Sequence, residues 1–270
     1  MTSKHIKIKN SERNHFFHQR HLGMIIFVLF TVSFLSFEFG YFMGSRSFIP
    51  KDETIRANVS TYLAGLVTLL GLIMAFTFSM ASERYQDRKH LMVDESNEIG
   101  TAYSYTSLLP EPIIEATRQL FRNYLDLRIQ YDHIRDDEKL SEIKNKLQSV
   151  HLKIWDTVAS EAKNGLNPIY IPIVISLNSM RDTADKRNAA MDNRIPEPIL
   201  WLLLILSVLN MAAIGFGGGM AGHGNIIYAQ IINLAICATL YIIIDLDRPT
   251  KGIMKIGQSS LIELKDSIGG

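Results

Sequence analysis

The sequence predicts an all-α membrane protein with four transmembrane helices and a helical cytoplasmic extension. Apolar residues are bunched into four stretches of about the 20 residues that a bilayer core requires. The long segment between the second and third stretches shows helical periodicity and almost no strand pattern. No internal repeat and no low-complexity linker divides the chain, so the whole reads as one helical architecture.

The four apolar stretches cover residues 24–43, 61–81, 199–216 and 226–244. The first is too long for the apolar part of a cleaved signal peptide and lacks the small-residue cleavage site. A second apolar stretch also follows it closely. We therefore predict that all four stretches are membrane-spanning helices.

Basic residues predict the orientation of these spans, because cytoplasmic loops carry an excess of Lys and Arg. Such residues are concentrated in the N-terminal tail, directly after the second stretch and directly after the fourth. The loop between the third and fourth stretches has none. Both termini are therefore predicted to be cytoplasmic. The predicted order is a basic tail (1–22), two spans (23–81), a helical cytoplasmic block (82–197), two spans (198–245) and a C-terminal tail (246–270).

The second span is predicted to continue into the cytoplasmic block as one helix, because no proline occurs between residues 60 and 109. A continuous helix of that length would be roughly 75 Å long, and only about 30 Å of it fits in the hydrocarbon. The remainder is strongly charged, so it needs partners in order to stay helical. Pro110 and Pro112 are expected to end it.

Three further helices are predicted in the block, over about 113–135, 137–164 and 173–193. The segment NPIYIP at 167–172 is predicted to separate the last two. The apolar faces of the first two helices recur at a spacing of three and four residues. They consist of Leu120, Tyr124, Leu127 and Tyr131, and of Ile143, Leu147, Val150, Ile154 and Val158.

Composition excludes several function classes. The formal net charge is +1, which gives no basic excess for a nucleic-acid partner. Cys237 is the single cysteine, so there is no disulfide framework, and no pattern of catalytic residues is recognisable. His15, His18 and His21 lack a carboxylate or cysteine at ligand spacing, and we interpret them as part of a basic juxtamembrane tail. No enzyme activity, metal or cofactor is predicted.

Residues 75–99, AFTFSMASERYQDRKHLMVDESNEI, resemble the end of the second transmembrane helix in bacterial bestrophins. The matching residues are Phe76, Arg84, Tyr85, Asp87, Arg88, Lys89, Glu95, Ser96 and Asn97. Residues 193–206, NRIPEPILWLLLIL, resemble that family's entry into its third span. Two departures indicate a divergent branch: Thr77 stands where the family has arginine, and DLDRPTKG at 245–252 replaces the aspartate-rich calcium clasp of animal bestrophins.

The resemblance implies a homopentameric ion channel in a bacterial inner membrane, with the second helix lining the pore. It also implies a hydrophobic pore neck at Thr68, Leu72 and Phe76, because bestrophins place such residues one turn apart on this helix. Contact with lipid or with other helices is the alternative for these three. Gly71, Ala75 and Ser79 form a stripe of small residues beside them, which favours close helix packing.

An acidic stripe follows on the same helix. Glu83, Asp87, Asp94 and Glu98 are spaced by 4, 7 and 4 residues, which puts them on one face. Copies around a pore axis would form carboxylate rings in a cytoplasmic vestibule, and such rings favour cations. The alternative is a solvated face, or pairing with basic residues of neighbouring helices.

Polar residues in or near the spans are candidates for function or for anchoring. Glu38 is expected near the outer interface, within reach of Arg46. Interhelical hydrogen bonds are expected from Asn210, Gln230 and Asn233, and lining a path through the membrane is the alternative for them. A pairing that anchors the fourth span is expected from Asp245, Asp247 and Arg248.

The leading functional hypothesis is therefore an oligomeric ion channel with a slight preference for cations, and the resemblance to bestrophins implies that it is a pentamer. Its partners would be the lipid bilayer, further copies of the chain and inorganic ions. The alternative is a non-conducting membrane scaffold or sensor whose cytoplasmic helices bind a protein or ligand. A small-solute transporter is a third hypothesis, but the chain lacks the paired broken helices expected of one.

Overall fold

The computed structural model describes residues 22–47, 52–111, 113–131, 134, 137–164, 168–222, 225–248, 253–254 and 256–269. Within these ranges the chain forms helices and no strand. They are α1 (Leu22–Ser45), α2 (Glu53–Tyr105), α3 (Ile113–Tyr131), α4 (Asp137–Asn164), α5 (Tyr170–Asp192), α6 (Glu197–Ala221), α7 (Ile226–Leu246) and α8 (Ser259–Ser267). The all-α prediction is confirmed.

Four of the helices are long and apolar enough to cross a membrane, and they contain the four predicted stretches. The unbroken second helix is also confirmed. It runs for 53 residues, begins at Glu53 rather than near residue 60, and passes into a 3-10 turn at Thr106–Leu108 before Pro110. The side-chain Oδ1 of Asp52 accepts a hydrogen bond of 2.7 Å from the backbone N–H of Glu53, one of the N–H groups in the first turn that have no partner within the helix.

The predicted break at 167–172 is too long. Helix α5 begins at Tyr170 and includes Pro172 in its first turn. Proline is tolerated there because the first backbone N–H groups of a helix have no partner within the helix. The basic tail with His15, His18 and His21 lies outside the described residues.

By its internal contacts the chain divides into two units. The first comprises residues 1–80 and 195–245, and its described part holds α1, the apolar half of α2, α6 and α7. Helices α1 and α6 approach closely through four glycines. A Cβ added at Gly40 would lie 2.0 Å from the carbonyl oxygen of Ala212, and one added at Gly215 would lie 2.1 Å from that of Phe37. Gly44 and Gly219 extend the same contact, so only glycine fits along this seam.

The second unit comprises residues 81–194 and 246–270, and its described part holds the charged half of α2, α3, α4, α5 and α8. The predicted apolar face of α4 is buried at all five positions. The predicted face of α3 is rotated, since Thr117, Phe121, Leu125 and Arg128 are buried beside Tyr124. Leu120, Leu127 and Tyr131 are only partly buried at the edge of that core. The buried face of α3 was not predicted correctly because it includes the polar residue Arg128.

Helix α8 belongs to the same core, although the sequence predicted only a tail there. Leu261 is completely buried, and Ser96 Oγ donates a hydrogen bond of 2.8 Å to the carbonyl oxygen of Ser260. Lys265 pairs with Asp126 at 2.8 Å. Helix α8 therefore covers parts of α2 and α3.

Candidate functional site

Helix α2 carries the candidate site, and one face of it is buried along most of its length. The buried positions recur at a spacing of three, four or seven residues, which keeps them on one side of the helix. They include Leu70, Met74, Thr77, Ala81, Arg88, Met92, Glu95, Ile99 and Ala102. The burial of this face explains how a helix with so many charges remains ordered.

The predicted pore-neck residues lie on the opposite side and are not covered by the chain. Leu72 is 53% exposed and Phe76 is 66% exposed. Thr68 is exposed too, and its hydroxyl bonds to the carbonyl oxygen of Ala64 in the preceding turn. Thr77, which stands in place of the family's arginine, is buried instead and bonds to the carbonyl oxygen of Ile73.

The small-residue stripe of Gly71, Ala75 and Ser79 is exposed as well. A Cβ added at Gly71 would meet nothing within 4 Å, so the close helix packing within the chain is made elsewhere, at the α1–α6 glycines. A packing role for this stripe requires a second copy of the chain and remains a prediction.

The acidic stripe also faces away from the chain. Glu83, Asp87 and Asp94 are exposed, and Glu98 is partly exposed. In the described part of the chain none of the four forms an ion pair. Seven residues separate Phe76 from Glu83 and eleven separate Glu83 from Asp94, and both spacings are close to whole numbers of helical turns. The uncovered apolar and acidic positions of α2 therefore share one side.

Arg88 faces the other way and forms a buried latch. Its Nε donates to the carbonyl oxygen of Ala190 at 3.0 Å, and its Nη2 donates to that of Asn193 at 2.7 Å. Its Nη1 donates to the carbonyl oxygens of Leu246 at 3.3 Å and Asp247 at 3.5 Å. The guanidinium thus joins α2 to the C-terminal ends of α5 and α7, where a helix favours positive charge.

Burial lowers the pKa of Arg88, and the carboxylate of Asp247 opposes that effect from 3.9 Å. The side chains of both residues are fully buried. Asp247 thus pairs with an arginine of α2, and the expected pairing among Asp245, Asp247 and Arg248 stays a prediction.

A second buried ionic cluster lies two turns further along α2. The two oxygens of Glu95 contact different arginines: Oε1 lies 2.5 Å from Nη2 of Arg128, and Oε2 accepts a hydrogen bond from Nη1 of Arg187. All three side chains are at most 2% exposed. Tyr124 stands beside them, and burial raises its pKa to about 12. One carboxylate thus ties together α2, α3 and α5.

Sequence reasoning assigned no role to Glu95, Arg128 or Arg187 beyond the match of Glu95 to the family. The spacing of Arg128 within an otherwise apolar stripe on α3 was an available signal. The pairing of Glu95 with Arg187 could not be predicted from the sequence, because the two residues are 92 residues apart along the chain.

The remaining polar candidates near the spans are mostly buried. Asn233 Nδ2 donates to the carbonyl oxygen of Phe30 on α1 and to Oε1 of Gln230, both at 3.3 Å. Asn210 instead donates to the carbonyl oxygen of Leu206 in its own helix, at 2.9 Å. This bond is local because the short side chain of an asparagine can reach the backbone carbonyl four residues earlier in the same helix.

Glu38 is partly buried on α1, and the guanidinium of Arg46 lies 4.1 Å above the ring of Phe42. Asp245 and Arg248, at the end of α7, are buried like Asp247. Among the described residues no group of His, Cys, Asp and Glu is arranged to hold a metal ion.

A profile of the bestrophin-like domain matches residues 26–261. The chain belongs to the bestrophin-like family. Its fold is similar to the crystal structure of a bacterial bestrophin homolog from Klebsiella pneumoniae with a Trp-to-Ala mutation. The TM-score is 0.66 at 12% identity, over 92% of this chain and 96% of that one.

A second crystal structure of a Klebsiella pneumoniae bestrophin homolog, with a Tyr-to-Ala mutation, matches with a TM-score of 0.64 at 10% identity. The matched region covers 90% of this bestrophin-like chain and 97% of the Klebsiella pneumoniae chain. No curated protein matches significantly. At these identities the likeness establishes the fold.

Proposed function

We propose that this bestrophin-like protein is a homopentameric ion channel, in which α2 lines the pore and its charged half lines a cytoplasmic vestibule. The observation that carries the proposal is the uncovered side of α2. Leu72 and Phe76 are more than half exposed, and the four carboxylates of the acidic stripe form no ion pair within the described chain. Membership of the bestrophin-like family supports a channel of this general type.

Two kinds of ring would follow from symmetric copies of α2. Thr68, Leu72 and Phe76 would form a narrow apolar neck, which can gate by expelling water. Glu83, Asp87, Asp94 and Glu98 would form stacked acidic rings, and we propose a modest preference for cations on that basis. Gly71, Ala75 and Ser79 would face a neighbouring subunit.

The proposed location is a bacterial inner membrane, with four passes and both termini in the cytoplasm. The excess of Lys and Arg beside the inner ends of the spans supports this orientation. The lipid bilayer and inorganic ions are the proposed partners of the assembly.

The first experiment determines stoichiometry and symmetry by imaging the detergent-solubilised particle. A ring with α2 innermost is the expected result. A monomer or a dimer without a central axis would support a non-conducting scaffold or sensor instead.

The second experiment reconstitutes the protein into planar bilayers under an asymmetric salt gradient. We expect single-channel currents whose reversal potential is displaced towards that of the cation. Absence of conductance under every ionic condition and voltage would refute the channel.

The cation preference has its own matched test. Replacing Glu83, Asp87, Asp94 and Glu98 by the corresponding amides should move the reversal potential towards zero or beyond. A control with four exposed carboxylates neutralised on other helices or loops, Glu111, Glu142, Asp182 and Glu263, should leave it unchanged. Equal reversal potentials in the acidic-stripe variant and the native protein would remove the vestibule from the proposal.

A further inference from the structure

Three arginines converge at the point where α2 leaves its apolar half. Arg84 precedes Arg88 by four residues on α2, so the two share one side of the helix. Nη2 of Arg88 bonds to the carbonyl oxygen of Asn193, and Arg194 is the next residue. The charges of Arg194 and Arg84 add to the effect of burial in lowering the pKa of Arg88, as expected for cations held close together.

The cluster has more positive than negative charge. Among the described groups that act on the charge of Arg88, Asp247 is the one carboxylate, and it pairs with Arg88. In the described part of the chain, Arg84 and Arg194 form no ion pair with an anion. Like charges held together without a counter-charge are unfavourable, so a bound anion would stabilise this region.

Arg84 and Arg194 are the two guanidiniums in excess. Both are partly exposed, whereas Arg88 is buried. Neither forms a hydrogen bond or an ion pair with the described part of the chain. Nη1 of Arg84 is moreover buried without a hydrogen-bond partner, and such a donor costs free energy until a partner is supplied.

The positions of these residues along the chain identify the chemistry of the missing anion. Arg84 lies three residues after the apolar stretch 61–81 ends, and Arg194 lies five residues before the stretch 199–216 begins. Asp247 lies three residues after the stretch 226–244 ends. With four spans of alternating direction, these three ends reach the same side of the bilayer, at the depth where phospholipid phosphates lie.

We propose that Arg84 and Arg194, with Arg88 buried behind them, form a binding site for a phosphate group. Anionic phospholipid of the adjacent leaflet is its source. The planar fork of an arginine matches two phosphate oxygens at once, which a lysine cannot do. Carboxylates of a neighbouring subunit are the competing partner, and free inorganic phosphate is the competing source. This site does not depend on whether the protein conducts ions.

The test uses the full chain in an uncharged detergent without phosphate. Phosphatidylglycerol, phosphatidylcholine and inorganic phosphate are added in separate arms. Native mass spectrometry counts bound lipids, and a thermal melt gives the midpoint in each arm. In the native protein, phosphatidylglycerol should bind at lower concentration than phosphatidylcholine and should raise the melting midpoint.

The variant Arg84→Gln with Arg194→Gln should bind phosphatidylglycerol at least about tenfold more weakly, because two charge-assisted contacts are lost. The variant Arg84→Lys with Arg194→Lys keeps the two charges but loses the planar guanidinium groups. Its affinity for phosphatidylglycerol should lie between those of the native protein and the double glutamine variant. The matched control, Arg181→Gln with Lys186→Gln, removes two exposed charges from α5 and should bind like the native protein.

Equal affinity for phosphatidylglycerol in the double glutamine variant and the native protein would overturn the site. Loss of subunits from the particle with lipid affinity unchanged would also overturn it, in favour of carboxylates from a neighbouring subunit. Binding of inorganic phosphate as tightly as the lipid, abolished by the double glutamine variant, would support the phosphate site and overturn its lipid source. Because no readout involves ion flux, a non-conducting protein leaves the result intact.

Discussion

Nη2 of Arg88 donates a hydrogen bond of 2.7 Å to the carbonyl oxygen of Asn193, 105 residues further along the chain. The same guanidinium also bonds to carbonyl oxygens at Ala190 and Leu246. These acceptors are backbone carbonyl oxygens, which any residue at those positions would provide. Arg88 is therefore the one side chain on which these hydrogen bonds depend. The consequence is that the rotation of α2 about its own axis is fixed at this level.

Arg88→Gln should lower the free energy of unfolding by about 3–5 kcal/mol, because it removes the arginine that pairs with the buried Asp247 and leaves several carbonyl groups without their donor. Thermal unfolding of the full chain in detergent measures the loss. Lys89→Gln is the control, since Lys89 is exposed and one residue away. Equal midpoints for the two variants would contradict the latch.

Glu95→Gln should destabilise the protein by about 3–5 kcal/mol as well, because it leaves Arg128 and Arg187 buried without their shared carboxylate. Asp94→Asn removes the same charge one residue earlier on the exposed side, and should change the stability by less than about 0.5 kcal/mol. Chemical denaturation of both variants under one condition provides the comparison. Similar midpoints would show that the cluster contributes little.

Gly40→Ala should force α1 and α6 apart, because its new methyl group would lie 2.0 Å from a carbonyl oxygen. We expect the free energy of unfolding to fall by about 1–3 kcal/mol. Gly23→Ala in the same helix meets nothing within 4 Å and should be neutral or slightly stabilising. A Gly40→Ala protein as stable as the Gly23→Ala protein would mean that the helices can move apart freely.

His151 should make the stability pH-dependent. It is buried on α4, and burial lowers its pKa, with the charge of Arg181 acting in the same direction and that of Asp185 opposing both. The folded state therefore prefers neutral imidazole. Its contribution is fully present above the ordinary histidine pKa of about 6.5 and is lost as the pH falls through the lower value of the folded state.

His151→Gln should consequently lose less stability than the native protein between pH 7.5 and pH 5, in denaturation curves recorded at both. His90→Gln is the control, because His90 is exposed on α2. If the His151→Gln protein and the native protein lost the same amount, acid sensitivity would arise elsewhere.

Much of the helical framework could be predicted from local sequence. The absence of proline between residues 60 and 109 was enough to predict the unbroken α2, and the regular spacing of Ile143 to Val158 predicted the buried face of α4. Helix α8 escaped prediction because nine residues are too few to be helical without tertiary contacts. The beginning of α5 escaped because proline is acceptable in a first helical turn.

The contacts around the candidate site are harder to predict from the sequence. The Gly-x-x-x-Gly spacing at residues 40 and 44, and again at 215 and 219, was visible and typical of close helix contacts. It could not tell that these two segments pack against each other. The partners of Arg88 and Glu95 come from helices about a hundred residues away, and charge pairing over such separations leaves no periodic trace.

The unbroken backbone of α2 has a mechanical meaning. At 53 residues it is a helix whose backbone is about 80 Å long, with no proline to interrupt its hydrogen bonds. Within its charged half, residues 81–105, each turn is therefore bonded to the next. Loosening the Arg88 latch would let Glu83, Asp87 and Asp94 turn together about the helix axis.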